Sequence, residues 1–164
     1  ILAAGNDRMH RIVQAFIDTL QTLPSFVYLM PVVMLFRVGD FAAMLAVVAY
    51  AIAPAIRYTD HGIRRVSPHL IEAAVASGCT PSQILWKVRL PLALPEIMLG
   101  VNQTIMMALS MLVITALVGT RDLGQEVYIA LTKADSGRGL VAGICVAFLA
   151  IISDRLISAW SKRR

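Results

Sequence analysis

The sequence predicts an all-α, polytopic transmembrane helical bundle, and three observations lead there. Of 164 residues, 58% are hydrophobic and 15% are charged, against about 25% charged in an ordinary soluble domain. The apolar residues gather in four runs, each close to the roughly 20 residues that cross a bilayer. A buried core helix would account for one such run but not for four. The polar stretch between the second and third runs is built from helix caps and tight turns.

The elements follow in order. The chain starts at Ile1, with apolar residues and no basic leader, which reads as a fragment beginning at the end of an earlier span of a longer protein. The total number of spans is therefore open. Residues 1–164 form a single membrane domain in this reading, with spans at about 12–36, 41–57, 91–118 and 140–157. The first begins amphipathic: Ile12, Phe16, Leu20 and Leu23 recur at helical spacing, with Gln14, Asp18 and Gln21 off the stripe. Its second half is nearly all apolar, with Pro24 and Pro31 as expected kinks, and it ends at Arg37-Val38-Gly39-Asp40. The second span is short and ends where Arg57 can reach the interface. Between the third and fourth spans, the polar segment from Gly119 to Gly139 has room for a short helix near Gln125–Thr132.

The segment after Arg57 is the most readable part. Ser67-Pro68 is a start signal, a hydroxyl cap followed by proline at the first helical position. That helix should run to Ser77, where Gly78 can end it with a left-handed backbone. Thr80-Pro81-Ser82-Gln83 restarts a helix at once, with an N-cap, a proline at N1 and a capping-box glutamine at N3. Two short helices with a tight elbow result. Ala73, Ala74 and Ala76 keep the first one slim enough for close approach, and Glu72 places one charge on it. An ordinary well-capped loop would satisfy the same local signals.

Charge sets the orientation. With the elbow in the cytoplasm, Arg57, Arg64, Arg65, Lys87, Arg89 and the tail Lys162-Arg163-Arg164 share that side, while Arg37, Arg121, Lys133 and Arg138 take the other. The net charge of +5 then needs no nucleic acid to explain it. The chain lacks Gly-x4-Gly-Lys-Ser/Thr, so it carries no phosphate-cradling loop. Cys79 and Cys145 form no CxxC or Cys/His cluster, and His61 and His69 read as surface residues, so no metal is expected. Asn102, Gln103, Thr104 and Ser110 lie in the third span, where polar groups face either another helix or a watery path. Asn102 and Gln103 are neighbours, about 100° apart on the helix, so they do not share one direction. Glu96 reads as an ion-paired or solvated end residue, and Gly139-x3-Gly143 as a weak packing pattern.

Glu72-Ala73-Ala74-x3-Gly78-x9-Val88-x-Leu90-Pro91 resembles the EAA signature of ABC importer permeases, with Val88 where the usual pattern has isoleucine. The resemblance extends further. Leu20-Gln21-Thr22-Leu23-Pro24-Ser25-Phe26-Val27-Tyr28, Gly100-Val101-Asn102-Gln103-Thr104, Ala108-Leu109-Ser110-Met111, Asp122-Leu123-Gly124-Gln125 and Asp154-Arg155-Leu156 are similar to permeases of the glycine betaine, proline betaine and choline type. The resemblance implies the ABC importer permease fold and makes residues 58–90 a cytoplasmic coupling segment. Glu72, Ala73, Ala74 and Gly78 would then contact an ATPase, and Leu90-Pro91 would lead into the moving helix.

It also implies the partners: a cytoplasmic ATP-binding subunit that holds the ATP, an extracytoplasmic substrate-binding protein and a second permease copy. This chain itself would hold no cofactor and catalyse no reaction, and it would sit as a multi-pass protein in the bacterial cytoplasmic (inner) membrane. Importers of other small solutes such as an amino acid, a channel and an integral-membrane enzyme are the competing classes, the last disfavoured by the lack of clustered His, Cys or paired carboxylates. Only 7% of residues are aromatic, so any cage for a quaternary ammonium is sparse and tight recognition is expected on the binding protein. Tyr28, Phe26 and Tyr50 are the aromatic candidates for a weak site. Asn102, Gln103, Ser110 and Tyr28 are carried forward as translocation-path candidates.

Overall fold

The computed structural model describes residues 7–162; residues 1–6 and the tail residues Arg163 and Arg164, with what was read from them, lie outside it. Every regular element among the described residues is helical. Helix α1 is Asp7–Thr22, α2 Ser25–Phe36, α3 Asp40–Arg64 and α4 Pro68–Ala76. A three-residue α5, Pro81–Gln83, passes through a π-helical segment, Ile84–Arg89, into α6, Leu90–Thr115. After a 3-10 turn at Ala116–Val118 come α7, Leu123–Lys133, and α8, Ser136–Lys162.

Three helical stretches are long and apolar enough to cross a membrane: Asp40–Arg64, Pro81–Val118 and Ser136–Ser161. The α1–α2 pair meets that standard jointly but bends by 95°, as a broken span or re-entrant loop does. The bend falls at Pro24, which lacks an N–H and biases the residue before it away from helical backbone. Pro31, by contrast, sits inside α2, which continues past it to Phe36.

Helix α3 runs past Arg57, where the apolar pattern fades, because its polar last turns find partners. Arg57 pairs with Asp18 of α1 at 2.5 Å, and Asp60 with His10 of α1 at 2.6 Å and with Arg64 at 3.4 Å. Helix α1 is thus tied to α3 by charge as well as by the fully buried Ile17.

The centre of the molecule is the seam between α3 and α6. Small side chains make it: Ala51, Ala53, Gly62, Ala93 and Gly100 are all buried. A Cβ added at Gly62 would meet the Glu96 Cβ at 2.8 Å, and one at Gly100 would meet the Tyr58 Cβ at 2.8 Å. Between helices in a bilayer, where lipid tails are as apolar as leucine, such close contact supplies the attraction. Above the seam, Tyr28, Leu29, Ala43, Ala46, Met111 and Val118 form the main apolar cluster.

Helix α7 starts from an Asp122 cap, whose side chain accepts from the Gln125 N–H at 3.1 Å. Its Gly124 lies against the α6 backbone so closely that a Cβ there would fall 2.1 Å from the Leu112 carbonyl oxygen. The outer face of α8 shows Leu140, Ile144, Phe148, Ile151 and Leu156, which suits acyl chains. Gly139 of the small-residue pattern contacts Ala130, whereas Gly143 faces open space.

The two glycine environments generate a paired expectation. Gly124→Ala should lower the thermal midpoint of the purified permease in detergent, by a destabilisation of about 1–3 kcal/mol. Gly143→Ala should leave it unchanged or slightly raised, alanine being the better helix former. Similar behaviour of the two variants in a thermal melt would contradict this packing.

Candidate functional site

The first arm of the elbow, α4, is ordered mainly at its ends. No residue of α4 is buried. The Ser67 hydroxyl, expected to cap α4, makes no capping hydrogen bond; the Ser67 backbone carbonyl accepts from the N–H groups of Leu70 and Ile71 instead. At the other end the sequence signal is realised in full. Gly78 has φ of 78°, its N–H donates to the Val75 carbonyl, and the Cys79 N–H donates to the Ala74 carbonyl at 3.1 Å. This double bond pattern is the Schellman ending, which needs a left-handed residue where Gly78 stands. The Ser77 hydroxyl adds a hydrogen bond to the Ala73 carbonyl at 2.8 Å.

The restart is equally local. The Thr80 hydroxyl accepts from the Gln83 N–H, and the Gln83 side chain accepts from the Thr80 N–H at 2.9 Å, completing a capping box. The chain then takes a π turn that the sequence did not announce. It lies directly before Pro91, whose missing N–H breaks the ordinary ladder. There the bonds step one residue wider, with the Leu90 N–H donating to the Leu85 carbonyl. Val88 and Leu90 are half-buried, and Pro91 is exposed.

Glu72 points into solvent, with His69 Nδ1 3.9 Å away as its partner. Around it, Leu70, Val75 and Trp86 are exposed although apolar. The elbow joins the bundle at its base. Arg65, just past α3, pairs with Glu96 of α6 at 3.1 Å, and Ile63 packs on Ala93. The two arms of the elbow therefore leave the bundle next to each other, joined chiefly by that apolar contact.

The path candidates separate. Asn102 Nδ2 donates to Asp154 Oδ1 of α8 at 2.7 Å, a bond between helices, and its Oδ1 is buried without a partner among the described residues. Ser110 is exposed and donates to the Met106 carbonyl on its own helix at 2.9 Å. The Tyr28 hydroxyl donates to the Leu20 carbonyl, and its ring packs edge-on against Tyr50 at 5.8 Å. Gln103 faces elsewhere, into a cavity of about 730 Å³ between α1, α3 and α6. His10, Gln14, Gln21, Arg57, Asp60 and His61 share that cavity. Sequence reasoning did not single out the His10–Asp60–Arg64 group. Only the Asp60–Arg64 spacing is local, while the decisive His10 contact joins residues far apart in the chain.

Among the described residues no group of three or more His, Cys, Asp or Glu could hold a metal ion. Cys79 and Cys145 are unpaired.

Comparison with known proteins gives the same family over the whole chain. Residues 1–164 match the family model described as "binding-protein-dependent transport system inner membrane component". The chain is 45% identical over 163 residues to a glycine betaine/carnitine transport permease protein of Listeria monocytogenes, covering 99% of this chain and 58% of that protein. It is 45% identical to the glycine betaine/proline betaine transport system permease protein of Escherichia coli, covering 97% of this chain and 45% of that one. A trimethylamine N-oxide transport system permease protein of Pelagibacter ubique is 51% identical over 90% of this chain and 21% of its own length. The chain thus spans between a fifth and somewhat more than half of these relatives. Among solved structures, an inward-facing conformation of the MetNI methionine ABC transporter matches with a TM-score of 0.80 at 23% identity, over 94% of this chain and 76% of that one. The fold is that of an ABC importer permease, and the chain belongs to the family of inner membrane components of binding-protein-dependent transport systems.

Proposed function

We propose that this chain is part of the transmembrane subunit of an ATP-driven importer that moves glycine betaine, proline betaine or choline across the cytoplasmic membrane. The observation that carries the reading is the elbow. Its first helix, α4, has no buried residue and leaves Leu70 and Val75 uncovered, while the second arm joins the central helices through Ile84, Leu85 and Leu90. Such a part has little to do within this chain and suits force transfer from a partner.

In this reading a cytoplasmic ATP-binding subunit docks on Glu72, Ala73, Ala74 and Gly78 and supplies the ATP. Its closing motion enters α6 through Leu90 and Pro91. An extracytoplasmic binding protein delivers the solute, and a second permease copy closes the path. The cavity that Gln103 lines supports Gln103 as the leading path residue. Asn102 is committed to Asp154, and Ser110 and Tyr28 lie apart from that cavity. The substrate class is supported by relatives named for glycine betaine and proline betaine at 45% identity. A relative named for choline transport is 29% identical. The methionine transporter bears on the fold alone.

Two expectations follow from this role. Gly78→Asp meets no neighbour within 4 Å, and aspartate tolerates the left-handed region better than most residues. The variant should insert and fold, but lose ATP-coupled uptake and stimulation of the ATPase subunit. Wild-type uptake together with wild-type stimulation would overturn the coupling role. In vesicles holding the whole transporter, uptake of radiolabelled glycine betaine should require the ATPase subunit, and proline betaine or choline should compete better than amino acids. Uptake that persists without the ATPase would favour a channel, and stronger competition by an amino acid would replace the substrate class.

A further inference from the structure

We infer that the cavity between α1, α3 and α6 is a low-affinity subsite for the carboxylate of a zwitterionic solute, with Arg57 as its receptor and Asp18 as a built-in competitor. The inference rests on the importer reading above. The cavity, at about 730 Å³, lies within the usual range for small-molecule sites and leaves room for water around a small solute.

The charged groups near it divide into two kinds. Asp60 is sealed: its side chain is 4% exposed, and its oxygens are held by His10 at 2.6 Å and Arg64 at 3.4 Å. Separating that set would leave a buried carboxylate without partners, which is costly. Arg57 lines the cavity and pairs with Asp18, which stands just outside the lining. Their contact is short, at 2.5 Å, but the two side chains are 41% and 62% exposed. An ion pair this exposed adds little stability, so its carboxylate is readily replaced by another.

Arg57 is therefore the more exposed of the two arginines on this wall, and its partner lies outside the buried Asp60 set. It lines the same cavity as Gln103, whose amide offers a further donor to a bound solute. A guanidinium can bind carboxylates through a planar fork of donors, of which Asp18 engages one, Nη2 to Oδ1 at 2.5 Å. When the solute leaves, Asp18 takes its place. The competitor keeps affinity low and empties the site, as a transport path requires.

The test is equilibrium dialysis of labelled glycine betaine against the complete permease–ATPase complex in detergent, without the binding protein. Arg57→Gln should weaken binding about tenfold, and Asp18→Asn should tighten it by a similar factor. Arg57→Lys, which keeps the charge, should recover much of the affinity. The opposite signs are diagnostic, because a purely structural ion pair would suffer alike from losing either partner. Equal weakening by Arg57→Gln and Asp18→Asn, or no change in either, overturns the inference. If the wild-type complex binds a different carboxylate-bearing solute, the substrate class above is wrong, and the same opposite shifts on that solute still support the subsite. If ATP-driven betaine uptake is intact but the complex binds no carboxylate-bearing solute, the subsite falls while the importer reading stands.

Discussion

The close approach of α3 and α6 is the constraint on which the rest of the molecule depends. Gly62 and Gly100 let each helix rest almost on the backbone of the other, and any side chain at either position would force them apart. Because α3 leads into the elbow and α6 leads out of it, this seam fixes the distance between the elbow's two roots. The Arg65–Glu96 pair closes the seam where it meets the polar segment. Helices α1 and α2 then pack on one side, burying Ile17, Tyr28 and Leu29, and α7 on another, where Gly124 lies against α6.

The elbow shows how a protein keeps an exposed part in one shape without burying it. Its order comes from satisfied backbone ends: the Schellman ending at Gly78 and the capping box at Thr80. These interactions lie within a few residues of each other and do not draw on the core. The face of α4 stays unoccupied as a result, with Leu70 and Val75 uncovered. A surface that is both preformed and uncovered binds with a smaller loss of conformational entropy than a loop that must first be ordered.

What the sequence revealed divides along the same line between local and distant. The capping box and the left-handed Gly78 were legible because each rests on residues within one helical turn, whereas the short helix expected near Gln125–Thr132 was anticipated without its Asp122 cap. The Ser67 cap was over-read, since the residue type was right but the backbone carbonyl took the role. Pro24 marked the position of the bend, but nothing in its neighbours set the angle at 95°. The π turn before Pro91 has a local cause in the missing N–H, yet proline more often simply kinks or ends a helix. Asn102 could have faced a path or a partner helix. Asp154, which decided the matter, lies far along the chain. The His10–Asp60 contact was hidden for the same reason.

One consequence lies in a length. The unbroken helical stretch Pro81–Val118 has 38 residues, which at 1.5 Å each is about 57 Å. The hydrocarbon core of a bilayer is only about 30 Å thick. Even with generous tilt, this stretch reaches past the hydrocarbon core, and in the importer role proposed above it would serve as a lever whose fulcrum is the glycine seam. A small rotation at the seam becomes a larger sweep at the tip. The same geometry makes the tip the place where a weak push from outside has the greatest mechanical advantage over the packed interior.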